Sequence, residues 1–248
     1  MSASGRMLTG ALAGALAGAY ALFWAGGLVS YTVLGEPPAG SRWAAPVFLF
    51  LAAGLALVAA PARARPALIA GGLWGLAAEA AGLRLGVPFG HYTYTRALGP
   101  AVLGVPWAIG CAWLVLLGYV SDRMARTGLT GRVRAPLAAG WMVALDLLID
   151  PAAAGPLGFW QWRDPGAYYG IPALNFAGWF LVSLVYFFIF PCRAGTRRWA
   201  GWPGLSLVVF FTVIAFARGL PLAGLAGILL TALHFAADTL PAPGLRRS

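Results

Sequence analysis

Eight mostly apolar stretches follow one another along this chain, at about 7–33, 44–60, 66–83, 102–121, 133–150, 173–191, 203–217 and 221–238. Roughly 20 helical residues, at about 1.5 Å each, cross the hydrocarbon layer of a bilayer. Only 10% of the residues are charged, against about 25% in a soluble domain, so the chain has too little polar surface for water. The last two stretches are short and separated only by Arg218, Gly219 and Leu220, so a re-entrant pair, giving seven spans, is the alternative. The expected fold is all-α: a polytopic transmembrane helix bundle of about eight spans, forming one domain over residues 1–248.

The basic residues give the bundle a direction. The net charge is +10 and every basic residue is an arginine. These arginines lie in short gaps between apolar runs and not along one polar face, which suits anionic lipid headgroups and excludes a nucleic-acid surface. An N-terminus placed inside, with spans alternating, puts Arg6, Arg63, Arg65, Arg123, Arg126, Arg132, Arg134, Arg193, Arg197, Arg198, Arg246 and Arg247 in the cytoplasm. Outside fall Arg42, Arg84, Arg96, Arg163 and Arg218. Twelve against five is the bias of a multi-pass protein of the bacterial cytoplasmic membrane with both termini cytoplasmic. The first span follows Arg6 as a signal peptide would, but it is longer than a usual signal core, so an uncleaved helix is expected. Its Gly10, Gly14 and Gly18 form a small-residue face suited to close helix contact, or simply reflect Gly/Ala bias. Cys111 and Cys192 fall near opposite faces and are expected to be free thiols.

Two connections, about 84–101 and 151–172, are dense in glycine, proline and aromatics, and both fall on the outer side. Their aromatics suit an interfacial belt or a built site, because non-helical backbone near lipid must be buried in protein or lie at the interface. Three of the seven acidic residues sit in apolar spans close to that same end. Glu79 is near the end of the third span; Asp146 and Asp150, four apart, share a face of the fifth. A charge at the centre of a span costs roughly 2.5–3.5 kcal/mol, less near its ends. Burial and a neighbouring carboxylate both favour the neutral acid, which is the form a proton donor needs. Structural readings stand beside the chemical one. Asp150-Pro151 ends a helix; Glu79 pairs with Arg84 or Arg96; Asn175 caps the sixth helix or orients a water. His91 is interfacial, and His234 with Asp238 forms a local pair near the cytoplasmic end. No metal-ligand spacing and no phosphate-binding loop occurs.

Three ordered blocks carry a resemblance. The first is Val87-Pro88-Phe89-Gly90-His91-Tyr92-Thr93-Tyr94-Thr95 with Leu98-Gly99-Pro100. The second is Ala144-Leu145-Asp146-Leu147-Leu148-Ile149-Asp150-Pro151. The third is Trp160-Gln161-Trp162, then Gly166-Ala167-Tyr168-Tyr169-Gly170-Ile171-Pro172 and Asn175-Phe176-Ala177-Gly178-Trp179. Over about 75–190 they resemble the carotenoid 1′,2′-hydratase family of integral membrane proteins; the first two and last two spans match only in hydrophobicity. The resemblance implies an enzyme that adds water across the terminal C1′–C2′ double bond of an acyclic or monocyclic carotenoid of the lycopene or γ-carotene type. Related members act on bacterioruberin precursors.

The residues suit that chemistry, which requires neither a metal nor a redox cofactor. A protonated carboxyl delivers its proton to C2′, a tertiary cation forms at C1′, and water adds there while a second group accepts its proton. Asp146 is the candidate acid, with Asp150 or Glu79 as base. The faces of Tyr92, Tyr94, Trp160, Trp162, Tyr168 and Tyr169 can each stabilise the cation by roughly 0.5–2 kcal/mol. Asn175 and His91 complete the candidate substrate contacts. The expected partners are the carotenoid, water and the bilayer; association with other carotenoid enzymes or a second copy is left open. A pocket open sideways to lipid would admit the polyene, with water arriving from the outer face. A carotenoid end-group cyclase would use the same acid. A proton-coupled transporter or channel would also use buried carboxylates, but needs a polar path across the membrane, whereas the polar groups here are expected to gather at one end.

Overall fold

A computed structural model of the protein describes residues 3–129, 131–193 and 198–239. It contains eight α-helices: α1 (Ala3–Thr32), α2 (Ala44–Ala59), α3 (Arg65–Leu85), α4 (Trp107–Arg126), α5 (Gly131–Ala154), α6 (Ala173–Ile189), α7 (Trp202–Ala217) and α8 (Pro221–Thr239). The bundle is all-α, and α7 and α8 are two helices packed on each other. Among the described residues, four helices are long and apolar enough to cross a membrane, and four more are shorter apolar helices.

Proline and glycine set the boundaries. Pro66 and Pro203 are the second residues of α3 and α7, in the first turn, where the backbone N–H has no intrahelical partner to lose. Gly86, at φ 70°, closes α3 by donating its N–H to the Gly82 carbonyl at 2.8 Å, a left-handed position that suits glycine. The fourth helix departs from the sequence expectation. It begins at Trp107, because residues 101–106 fold back as a small hairpin of β2 (Ala101–Val102) and β3 (Val105–Pro106). It then runs on to Arg126, so Arg123 and Arg126 belong to a helix and not to a loop.

Helices α4 and α5 form the centre. The first packs on α2, α3, α5, α7 and α8, and the second on α4, α6, α7 and α8. The approach of α3 to α4 depends on missing side chains. A Cβ at Gly72 would lie 2.8 Å from the Gly110 carbonyl oxygen, and one at Gly75 would overlap the Trp113 indole. Small residues let helix backbones close on each other where lipid gives no hydrophobic drive. The Gly10, Gly14 and Gly18 face is different: a Cβ at any of them meets nothing within 4 Å, so that face has no partner among the described residues.

Polar groups do not gather at one end alone. At the end opposite the aromatic loops, Arg123 is 1% exposed. It donates through Nε to Asp122 at 3.1 Å, and Arg126 Nε reaches the same carboxylate at 3.1 Å. His234 of α8 stacks on Tyr119 and shares a hydrogen bond with its hydroxyl at 3.2 Å. The side chain of Asp238, the expected partner of His234, lies outside the described residues. Cys192 lies at this end and Cys111 near the start of α4, and both are free.

If missing Cβ atoms set the α3–α4 distance, Gly75→Leu should destabilise the purified protein by about 1–3 kcal/mol, the usual cost of overpacking. Gly14→Leu should leave its thermal transition in detergent unchanged.

Candidate active site

The two aromatic loops are one structure. Residues Tyr92–Tyr94 (β1) pair antiparallel with Trp160–Trp162 (β4), placing Tyr92 opposite Trp162 and Tyr94 opposite Trp160. In a strand, alternate side chains share a face. The four aromatics therefore point one way, with Thr93 and Gln161 pointing the other. Thr95 N donates to the Phe159 carbonyl and Arg163 N to the His91 carbonyl, both at 2.9 Å, which extends the ribbon beyond its named strands.

The inner face of the ribbon meets the three carboxyls. Glu79 of α3 is 6% exposed, Asp146 2% and Asp150 1%, and Asn175 of α6 is equally buried. Tyr92 and Tyr94 both donate their hydroxyls to Glu79 Oε2, the second at 2.8 Å, and Trp113 Nε1 donates to Oε1 at 3.1 Å. Asn175 Nδ2 donates to Asp146 Oδ2 at 2.6 Å and to Asp150 Oδ2 at 2.8 Å, using both its hydrogens. Trp160 Nε1 donates to Asp150 Oδ1 at 2.7 Å. Every one of these donors is neutral. Among the described residues the acidic groups in ion pairs are Asp122 and Asp164, so neither Arg84 nor Arg96 pairs with Glu79. Burial first, and then the neighbouring Glu79, hold the Tyr92 and Tyr94 phenols well above their usual range, so both remain donors.

Two structural readings of the sequence are corrected here. Asn175 is the third residue of α6 and does not cap it; its side chain bridges the two aspartates. Asp150-Pro151 does not end α5, which continues through Pro151 to Ala154. A proline inside a helix leaves the carbonyl four residues earlier without its N–H partner. That carbonyl belongs to Leu147, and the Tyr168 hydroxyl donates to it at 2.9 Å. Burial pushes the Tyr168 phenol up to about 12, which keeps it a donor.

Glu79, Asp146, Asp150, Tyr92, Tyr94, Trp160, Trp162 and Asn175 line one cavity of about 1050 Å³, at the upper end of the range for small-molecule sites. His91, Tyr168 and Tyr169 do not line it. The His91 ring lies against Gly86, where an added Cβ would come within 2.5 Å of it. Tyr169 accepts from the Leu222 N–H at 3.1 Å. Trp113 and Trp179 are lining residues that the sequence reading did not assign; their indoles stack at 4.3 Å. Nothing around Trp113 in its apolar span marks it, and the only trace is Gly75 opposite. Glu36, Arg42 and Arg96, all exposed, line the same cavity at the ribbon end. None of the Asp122–Arg123–His234 group does.

Residues 43–237, most of the chain, match a family of carotenoid biosynthesis proteins, and the chain belongs to that family. One relative, the bisanhydrobacterioruberin hydratase of Haloarcula japonica, is 38% identical over 148 residues. The match covers 55% of this chain and 48% of the relative, so the chain spans about half of that protein's length. No solved structure matches the chain.

Tyr168→Phe should lower stability by about 1–3 kcal/mol, the cost of a buried carbonyl left unpaired. The change removes no cavity-lining group, so the measurement is the thermal transition of the purified protein.

Proposed function

We propose that this protein is a carotenoid hydratase that adds water across the terminal C1′–C2′ double bond of an acyclic or monocyclic carotenoid. The observation that carries the reading is the pair Asp146–Asp150, bridged by one amide, in no ion pair among the described residues, and facing an aromatic cavity. Membership of a carotenoid biosynthesis family and similarity to a hydratase supply the substrate class.

Hydrogen-bond accounting divides the roles. Both oxygens of Glu79 and both of Asp150 accept from fixed donors, an arrangement that suits a carboxylate. Asp146 accepts at Oδ2 alone, leaving Oδ1 to carry a proton. Asp146 therefore donates its proton to C2′, and the electrons of the double bond form the new C–H bond. The tertiary cation at C1′ lies among the faces of Trp113, Trp179, Tyr92 and the ribbon tryptophans. Water attacks C1′ and its proton passes to Asp150 or Glu79. One alkene and one water become one tertiary alcohol, with no change in electron count, so the step needs neither metal nor redox cofactor. Water has a route from the end lined by Glu36, Arg42 and Arg96. We assign that end to the outer side of the membrane on the arginine count, with both chain ends in the cytoplasm. The polar mouth favours capture by water over capture by an internal alkene. The transporter reading is disfavoured because the second polar cluster does not line this cavity.

The test is expression in a lycopene-producing host in water enriched in heavy oxygen. A product heavier by one labelled water is expected, and a ring without oxygen would instead identify a cyclase. Asp146→Asn should lower hydration by about 10²–10⁴, the usual contribution of a general acid, without loss of folded protein. Full activity in that variant would remove Asp146 as the donor.

A further inference from the structure

The cavity continues well beyond the carboxyls, and its far wall is α1. Leu22, Gly26 and Ser30 line it at successive turns of that helix. The helix is anchored beside them: Tyr20 shares a hydrogen bond with the Ser206 hydroxyl at 2.7 Å, and Trp24 Nε1 donates to the Ser206 carbonyl at 2.9 Å. Leu22 is 72% exposed. Gly26 is also exposed, and a Cβ there would meet nothing within 4 Å. Residues that both line the cavity and lie on the surface of α1 mark where it breaks through the side of the bundle. The lining runs along α1 from Leu22 to Tyr31 and on to Glu36 and Arg42, and Leu22 lies about 15 Å along α1 from Thr32, so the opening extends from the charged mouth into the apolar layer.

We propose that the lateral opening beside Gly26 is the binding subsite for the polyene stretch behind the reacting end group, and that Gly26 keeps it wide enough for a long chain. This rests on the hydratase reading of the carboxyl end. A conjugated isoprenoid rod has no hydrogen-bonding group, so it is recognised by apolar contour and width alone. Its end must reach Asp146, which lies about 12 Å along α5 from Ala154, while the rest of the rod stays in lipid; a side opening satisfies both. Glycine in a helix costs roughly 0.5–1 kcal/mol relative to alanine. At Gly26 no neighbouring atom demands it, and what separates it from the equally open Gly10, Gly14 and Gly18 is that it lines the cavity. The helix precedes residues 43–237, so the subsite lies outside the segment matched to the family.

The test uses the full chain in lipid nanodiscs. Lycopene binding is read by quenching of tryptophan fluorescence, and hydration is measured on lycopene and on farnesene, a short isoprenoid hydrocarbon with the same terminal double bond. Gly26→Leu should weaken lycopene binding at least about tenfold, with Gly26→Ala intermediate, while farnesene hydration changes less than about twofold. Gly14→Leu, on the same helix but away from the cavity, should change neither. Unaltered lycopene binding in Gly26→Leu and Gly26→Ala overturns the proposal, as does an equal loss on both substrates. Wild-type protein that binds lycopene but hydrates nothing removes the hydratase reading and leaves the subsite standing; wild-type protein that does not bind lycopene removes the subsite.

Discussion

Three carboxyls buried without a cation are the constraint on which the aromatic half of this molecule depends. A carboxyl in an apolar bundle must be satisfied by hydrogen bonds or neutralised, because isolated charge there is costly. Here the satisfaction comes from Tyr92, Tyr94, Trp113, Trp160 and Asn175, all neutral. No single helix could supply these donors around one cavity. The β1–β4 ribbon brings two of its tyrosines to Glu79 and one tryptophan to Asp150 by pairing segments about 70 residues apart.

The opposite end shows the other solution to the same problem. Asp122 is nearly as buried, yet it is held by Arg123 and Arg126 on its own helix. That carboxyl is held in ion pairs and lines no part of the cavity. The contrast separates an ion-paired carboxyl from the proposed catalytic ones within one chain: arginines compensate the first, and donors that add no charge surround the others.

Helix number and approximate limits were legible because lipid imposes a length on each apolar run. The three carboxyls were legible because acids are rare in such runs, and the ribbon aromatics because they cluster in two loops rich in glycine and proline. Less could be seen where geometry depended on partners distant in sequence. Trp113 is one more apolar residue until α3 closes on it through Gly75. Asn175 looks like a helix-start residue until α5 places two aspartates before it. His91, Tyr168 and Tyr169 share their motifs with lining residues, yet strand alternation and the turn at Gly170 direct them away. The extension of α4 to Arg126 was hidden by its charges, which read as loop until their pairing with Asp122 was known.

The proline inside α5 also has a consequence for the order of assembly. The turn bearing Asp150 cannot close itself, since Pro151 has no N–H to offer Leu147. Its missing bond comes from Tyr168, 21 residues later, and Asp150 receives further partners from Trp160 and Asn175. During synthesis the fifth helix would therefore enter the membrane with its acidic turn unfinished. The acids gain their fixed geometry only when the following loop has folded back and the sixth helix has followed it. A chain interrupted between those helices would carry every proposed catalytic carboxyl and still lack the Asn175 amide that bridges Asp146 and Asp150.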